Sequence, residues 1–100
     1  MAIKSIRLPL IRLFTDEWLF KLYGLPPMES NVYVKLRIRM LHTGEPLLND
    51  EQILSDFTSC SVKKFQKALD YLIRAGHIIR LEDGRLWSSD VENELNSFEE

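Results

Sequence analysis

The chain has 100 residues, of which 45% are hydrophobic and 28% are charged, and these proportions fit a single globular domain with one core. Its only cysteine, Cys60, excludes an internal disulfide and a thiolate metal cluster, and His42 and His77 lack the spacing of a metal site. The net charge of −2 differs from the strongly basic character of many dedicated DNA-binding domains, whose pI is often above ~9. A nucleic-acid function would therefore depend on how the charge is distributed.

Residues 1–14 are predicted to form a short edge strand or an extended arm. Ile6, Leu8 and Leu10 alternate with other residues, and Pro9 fits an edge strand better than a central one. The segment contains no uninterrupted apolar run long enough for a signal-peptide core or for the ~20 residues of a membrane-spanning helix. We therefore expect a cytoplasmic chain that does not interact with membranes.

A short first helix is predicted after this segment. Thr15 is its expected N-cap, and the helix ends before Gly24. The aromatic side chains around it are expected to pack in the core, unless some are exposed for dimerisation. Those side chains are Phe14, Trp18, Phe20 and Tyr23.

Residues 28–43 fit two patterns. Apolar residues alternate with polar ones, as in a strand, but Tyr33, Leu36 and Met40 also share one face of a helix. Pro27 suits the first position of a helix, and Gly44 suits the position just after its end. The segment is also longer than a typical strand. We predict a helix.

A short helix, a turn and a longer amphipathic helix are predicted over residues 49–75. Asn49 followed by Gln52 indicates the N-cap of the short helix. The long helix has Ser59 or Ser61 as its expected N-cap and extends to residue 75. Its buried face is predicted from apolar residues at helical spacing, which are Val62, Phe65, Ala68, Leu69, Leu72 and Ile73.

A β-hairpin is predicted over residues 77–88, because Asp83-Gly84 between two apolar runs is a strong signal for a two-residue turn. Such a turn predicts three cross-strand pairs, which are Glu82 with Arg85, Leu81 with Leu86, and Arg80 with Trp87. Arg80 stacked on Trp87 is a candidate contact for a partner or a nucleotide. The favoured alternative is that the following helix covers Trp87 as a small satellite core.

An acidic C-terminal helix is predicted over residues 89–100, with Ser89 or Asp90 as its N-cap. The apolar side chains on one side of this helix, which would cover the hairpin tryptophan, are Val91, Leu95 and Phe98. The glutamates expected around it are Glu92, Glu94, Glu99 and Glu100.

The predicted order of elements is typical of a winged helix-turn-helix, a mainly α fold with a small β-hairpin wing. We expect residues 1–100 to form a single domain of this class. Its parts are an N-terminal arm or strand at 1–14, a helix-turn-helix at 49–75, a wing at 77–88 and an acidic C-terminal helix at 89–100.

Several stretches of the chain also carry a family resemblance. They are residues 16–19, the helix after Pro26-Pro27 that contains Tyr33, and residues 44–50, 65–72, 82–87 and 92–95. Together these stretches resemble the YdaU-like domain, whose proteins are encoded by phages and prophages, often near replication genes, and have no settled biochemical activity. The resemblance implies a winged-helix fold and a role in replication or its control. Its motifs are structural signals and not a catalytic signature.

The solvent face of helix 61–75 is the candidate DNA-binding surface. When a helix lies in the major groove, its basic side chains contact phosphates and polar side chains near its N-terminus contact base edges. The candidate residues are Ser61, Lys63, Lys64, Gln66, Lys67 and Arg74 on the helix, with Arg80 and Arg85 on the wing. Residues 59–85 contain six basic and three acidic residues, a net charge of +3, whereas residues 86–100 contain five acidic residues and no basic one. The alternative is that these cations form only a solvated helix face.

Lys35, Arg37 and Arg39 form a second basic cluster, on helix 28–43. This cluster would extend a DNA-binding groove if its members shared one side of the helix. Their alternation places them on different sides, so we favour plain surface charge.

The sequence contains no Gly-rich phosphate loop, GxSxG or HExxH motif, so we expect neither an enzyme nor a cofactor.

The first functional hypothesis is a phage- or prophage-type winged-helix protein that binds double-stranded DNA in replication or transcription control. The second is a protein–protein interaction module that binds and modulates a host or phage protein. Such a target would be a replication factor or a nucleic-acid-guided defence complex, in the manner of an anti-CRISPR inhibitor. Homodimerisation is compatible with both.

Overall fold

The computed structural model describes residues 14–98, which form a mainly helical structure with one small antiparallel hairpin. The elements are α1 (Thr15–Tyr23), α2 (Pro27–Thr43), α3 (Glu51–Phe57), α4 (Val62–Arg74), β1 (Ile79–Arg80), β2 (Leu86–Trp87) and α5 (Ser89–Phe98). Residues 1–13 of the predicted arm at 1–14, the Phe98 side chain, Glu99 and Glu100 lie outside the described residues. None of the described helices is both long and apolar enough to cross a bilayer.

The boundaries of α2 follow from the two residues that were expected to set them. Pro27 occupies the first turn, where its missing N–H is not needed. Gly44 ends the helix in the left-handed conformation, with φ of 71°, and donates its N–H to the carbonyl of Met40 at 2.7 Å. The helical prediction for residues 28–43 is confirmed.

The predicted caps of α1 and α3 are each wrong by one residue. The N-cap of α1 is Phe14 and not Thr15, and it provides no side-chain hydrogen bond. The N-cap of α3 is Asp50 and not Asn49, because the Asp50 carboxylate accepts a hydrogen bond from the Ile53 N–H at 3.1 Å. In both cases the helix starts one position away from where the residue type alone placed it.

A tight turn joins α3 to α4. The Thr58 hydroxyl donates to the carbonyl of Leu54 at 2.8 Å, which ties the turn to the end of α3. Ser59 then adopts a left-handed conformation with φ of 62°. Ser61 is the N-cap of α4, and its hydroxyl oxygen accepts from the Lys64 N–H at 3.2 Å. Of the two predicted caps, Ser61 is therefore the one used.

The core lies where α2, α4 and α5 meet, with α3 packed on α4. Phe65, Ala68, Leu69 and Leu72 of α4 are buried, so the predicted apolar face of this helix is confirmed. The remaining core residues come mainly from α2 and the hairpin, and they are Val32, Tyr33, Leu36, Met40, Leu41, Leu47, Leu54, Ile78, Leu86 and Val91.

The hairpin has a different register from the predicted one. Ile79 pairs with Trp87 and Arg80 pairs with Leu86, so each predicted partner is shifted by one residue. A two-residue turn of the expected type needs positive φ at both central residues, but only Gly84 has it, with φ of 92°. The loop instead contains three residues, 82–84, closed by a hydrogen bond of 2.8 Å from the Leu81 N–H to the Arg85 carbonyl.

The strand β2 also pairs on its other side with the loop before α3. Leu47 and Leu86 exchange two backbone hydrogen bonds, of 2.9 and 2.8 Å, and both side chains are buried. This bridge fixes the hairpin to the helical part of the molecule. The helix α5 follows directly, and its N-terminal N–H groups at Asp90 and Val91 are capped by the Ser88 hydroxyl, not by Ser89 or Asp90 as predicted.

The aromatic side chains around α1 do not all pack in the core. Trp18 is partly buried against the core, but Phe20 is 84% exposed and Tyr23 is 95% exposed. The expectation of core packing is therefore wrong for these two residues. They lie on the side of α1 that faces away from α2 and α5.

Candidate nucleic-acid interface

The basic residues of α4 share a solvent-exposed face. Lys63, Lys67 and Arg74 are separated by four and seven residues, which places them on one side of the helix, opposite the buried Phe65 and Leu72. Lys64 lies beside them and is also exposed. The predicted cluster on helix 61–75 is thus brought together by the structure.

The lysines of this face are available for an anionic ligand. Within residues 14–98, Lys63, Lys64 and Lys67 form no ion pair. Arg74, in contrast, is 2.6 Å from the Asp70 carboxylate, one turn away on the same face. Because both side chains are largely exposed, this pair is weak and a phosphate can compete for the guanidinium.

Gln66 is also exposed on α4, but it has a specific partner. Its side-chain amide nitrogen donates to the Glu51 carboxylate at 2.7 Å, across the junction between α4 and α3. This contact joins residues that are 15 positions apart in the chain. It was not expected from the sequence, because nothing in the spacing of the two residues indicates it.

The two arginines of the hairpin differ in their availability. Arg80 on β1 is exposed and forms no ion pair within the described residues. Arg85 is half-buried, and its guanidinium lies 2.8 Å from the Asp83 carboxylate. The pKa of Asp83 is lowered chiefly because the carboxylate accepts the Arg85 backbone N–H at 3.0 Å.

Trp87 does not stack on Arg80, because the shifted register places Ile79 opposite it. The indole is half-buried and packs against the core, and its N–H donates to Glu92 of α5 at 2.9 Å. The alternative interpretation, in which the following helix covers Trp87, agrees with this contact. Arg80 and Trp87 therefore do not form a joint partner-binding pair.

The second basic cluster is not a surface feature, since its central member is in the core. The Arg37 side chain is fully buried, whereas Lys35 is half-buried and Arg39 is exposed. The guanidinium carbon of Arg37 lies 4.1 Å from the centre of the Trp18 ring, in a cation–π contact. The expectation of plain surface charge is wrong for Arg37.

Arg37 is buried because acidic and phenolic groups from three helices surround it. Its guanidinium lies 2.9 Å from the fully buried Glu94 carboxylate and donates to Glu17 at 2.7 Å and to the Tyr33 hydroxyl at 2.9 Å. The Tyr33 hydroxyl in turn donates to Asp90 at 2.9 Å. These groups connect α1, α2 and α5.

Glu94, which was expected at the surface of the acidic helix, has all its contacts inside the molecule. Besides Arg37, its carboxylate accepts from the Trp18 indole N–H at 2.6 Å and from the Phe14 backbone N–H at 3.0 Å. Lys21 adds a bond of 2.7 Å to the neighbouring Asp90. The acidic charge of α5 is thus partly used to hold α1 in place.

Burial and charge shift the pKa values of this network. Burial raises the pKa of the Tyr33 hydroxyl. Burial alone would raise the pKa of Asp90, but the bonds from Lys21 and Tyr33 outweigh it and the pKa is lowered. The pKa of His77, whose ring lies 5.7 Å from that of Tyr33, is lowered by burial and by the charge of Lys21.

An apolar groove lies between the end of α2, the following loop and α3. It has a volume of about 340 Å³. The side chains of Leu48, Ile53 and Phe57 line it and are 74%, 63% and 38% exposed. At the edge of the groove, the guanidinium carbon of Arg39 lies 5.6 Å from the Phe57 ring.

Among residues 14–98, no three His, Cys, Asp or Glu side chains are grouped so that they could hold a metal ion.

The sequence matches the model of a family described as a protein of unknown function, DUF1376, over residues 9–96. The chain belongs to this family. No curated protein and no solved structure matches it significantly.

Proposed function

We propose that this protein binds double-stranded DNA through the exposed face of α4. The observation that supports the proposal is the cluster of Lys63, Lys64 and Lys67, which lies on one helical face without ion pairs inside the described part of the chain. When lysines of this kind neutralise phosphates, they release the counterions that were condensed on the DNA. This release is the main source of sequence-independent affinity. The chain as a whole has a net charge of −2, whereas residues 59–85, which contain α4 and most of the hairpin, have a net charge of +3.

The proposal includes a winged helix-turn-helix architecture. The consecutive helices α3 and α4 are joined by a tight turn, and the hairpin that follows is tied to the loop before α3 by the Leu47–Leu86 bridge. In such an arrangement the second helix lies in the major groove. Arg80, on the first strand of the hairpin, is a candidate for an additional phosphate contact. The resemblance to the YdaU-like domain of phages and prophages supports a role in replication or transcription control.

The proposal is tested by titrating a fluorescently labelled mixed-sequence duplex and recording its anisotropy. The double variant Lys63→Glu with Lys67→Glu is expected to lose DNA binding, because two phosphate contacts become repulsive. The matched control is Lys35→Glu with Arg39→Glu, which has the same spacing and the same change in net charge on α2. An equal loss of affinity in both double variants would show that only the total charge matters and would contradict the assignment to α4.

Binding of a protein is the second candidate function, and the apolar groove favours it. Exposed apolar side chains that line a groove are typical of protein interaction sites. The partner would be a host or phage protein, such as a replication factor or a nucleic-acid-guided defence complex. If wild-type protein fails to bind any duplex at low salt, this candidate replaces the first.

A further inference from the structure

We propose that Gln66 reads an adenine base and that Glu51 is the residue that positions it, an inference that depends on the proposed DNA binding by α4. Gln66 lies one residue before Lys67 and three residues after Lys63, in the part of α4 that carries the unpaired lysines. Residues three positions apart, such as Lys63 and Gln66, are neighbours on a helix surface. A base contact from Gln66 is therefore compatible with phosphate contacts from the lysines.

The contact with Glu51 orients the Gln66 amide. A carboxylate can only accept hydrogen bonds, so the group of Gln66 that lies 2.7 Å from it must be the amide nitrogen. One of the two N–H bonds is then used. The second N–H and the carbonyl oxygen remain for a ligand, because no other side chain in the described residues bonds to them.

This free pair of groups matches adenine. In the major groove, adenine presents an acceptor at N7 and a donor at N6, and glutamine can satisfy both at once. Guanine presents two acceptors in the same region, which the remaining N–H and carbonyl oxygen cannot both satisfy. An amide held in one orientation also loses less conformational entropy when it binds.

Glu51 has a second effect, the repulsion of phosphates, which distinguishes its positioning of Gln66 from a general electrostatic effect on DNA binding. Its carboxylate is exposed beside the proposed DNA surface and repels phosphates. The residue therefore lowers affinity for every duplex while it favours the adenine contact. Removal of Glu51 should raise general affinity and lower base discrimination at the same time.

The experiment begins with wild-type protein and a library of duplexes with a randomised centre, from which bound sequences are selected. Wild type is expected to enrich an A·T pair at one position. The selected duplex and its copy with G·C at that position are then titrated with wild type, Gln66→Ala and Glu51→Ala. Gln52→Ala is the matched control, since Gln52 also donates to a carboxylate, that of Asp56, but both members of that pair lie on α3.

For wild type, the selected duplex should bind about tenfold more tightly than its G·C copy, the discrimination typical of one bidentate contact. Gln66→Ala should bind both duplexes alike. Glu51→Ala should discriminate about threefold to tenfold less than wild type while binding the G·C copy at least as tightly. Gln52→Ala should behave as wild type.

Three results would overturn the inference while leaving DNA binding intact. They are the absence of any enriched A·T pair, unchanged discrimination in Gln66→Ala, and equal tightening of both duplexes in Glu51→Ala. Absence of binding by wild type to every duplex at low salt would instead overturn the proposed function itself. The two failures are therefore distinguishable.

Discussion

The guanidinium of Arg37 and the carboxylate of Glu94 lie 2.9 Å apart, and both side chains are fully buried. They connect the long central helix α2 to the C-terminal helix α5. Glu94 also binds the Trp18 indole of α1, so one ion pair holds three helices together. Among the described residues, α1 has no buried side chain of its own.

We predict that Arg37→Ala or Glu94→Ala lowers the free energy of unfolding by about 3–5 kcal/mol, because each removes one half of a buried ion pair. The double variant Arg37→Ala with Glu94→Ala should cost less than the sum of the two single changes. Urea unfolding measures all of them. Arg74→Ala, which breaks the exposed pair with Asp70, is the control and should cost at most about 1 kcal/mol. Strictly additive effects of Arg37 and Glu94 would show that the pair is not coupled.

The same region predicts how stability depends on pH. The pKa of His77 is lower in the folded state than its usual value of 6.5, so the protonated form favours unfolding. Its contribution to stability is present above pH 6.5 and is lost as the pH falls through the folded pKa. The pKa of Asp90 is also lowered, and its contribution is lost in a further step below its usual value of 3.8.

Urea unfolding between pH 8 and pH 3 tests this dependence. Wild type should lose stability as the pH falls below 6.5 and again as it falls below 3.8. His77→Asn should lose stability only in the second step. His42→Asn, at an exposed position near the end of α2, is the control and should follow wild type. A His77→Asn variant with the same pH profile as wild type would show that another group is responsible.

Periodicity in the sequence predicted the elements better than it predicted their ends. The apolar spacing on α4 and the Pro27 and Gly44 positions on α2 specified both helices. The caps failed at Asn49 because the adjacent Asp50 provides an equally good acceptor. The hairpin register failed because Asp83 does not adopt the positive φ of a two-residue turn, and its carboxylate binds the Arg85 N–H instead.

The buried ion pair was missed because charged residues are rarely buried, and composition alone therefore places them at the surface. Helical spacing contained the relevant signal. Arg37 follows the buried Tyr33 by four residues, and Glu94 follows the buried Val91 by three, so each lies on the apolar face of its helix. What the sequence could not show is that these two faces meet, which depends on how α2 and α5 pack.

Asp70 provides a prediction for the DNA surface. Its carboxylate lies on the basic face of α4 and holds Arg74 at 2.6 Å. We expect Asp70→Asn to strengthen binding of a mixed-sequence duplex by about threefold to tenfold, because it removes a phosphate-repelling charge and frees the guanidinium. Anisotropy titration measures the change, and Asp56→Asn on α3 is the control. Unchanged or weaker binding by Asp70→Asn would contradict DNA contact with this face.

The central claim, that α4 binds DNA through phosphate contacts, is tested most directly by the salt dependence of duplex binding. Wild-type protein should bind a mixed-sequence duplex with a Kd of about 1–100 µM at physiological salt. Four to six contacts from α4 and the hairpin predict a slope of log K against log salt of about −4 to −5. A folded protein that binds no duplex even at about 50 mM salt, or binds with no salt dependence, would contradict the claim.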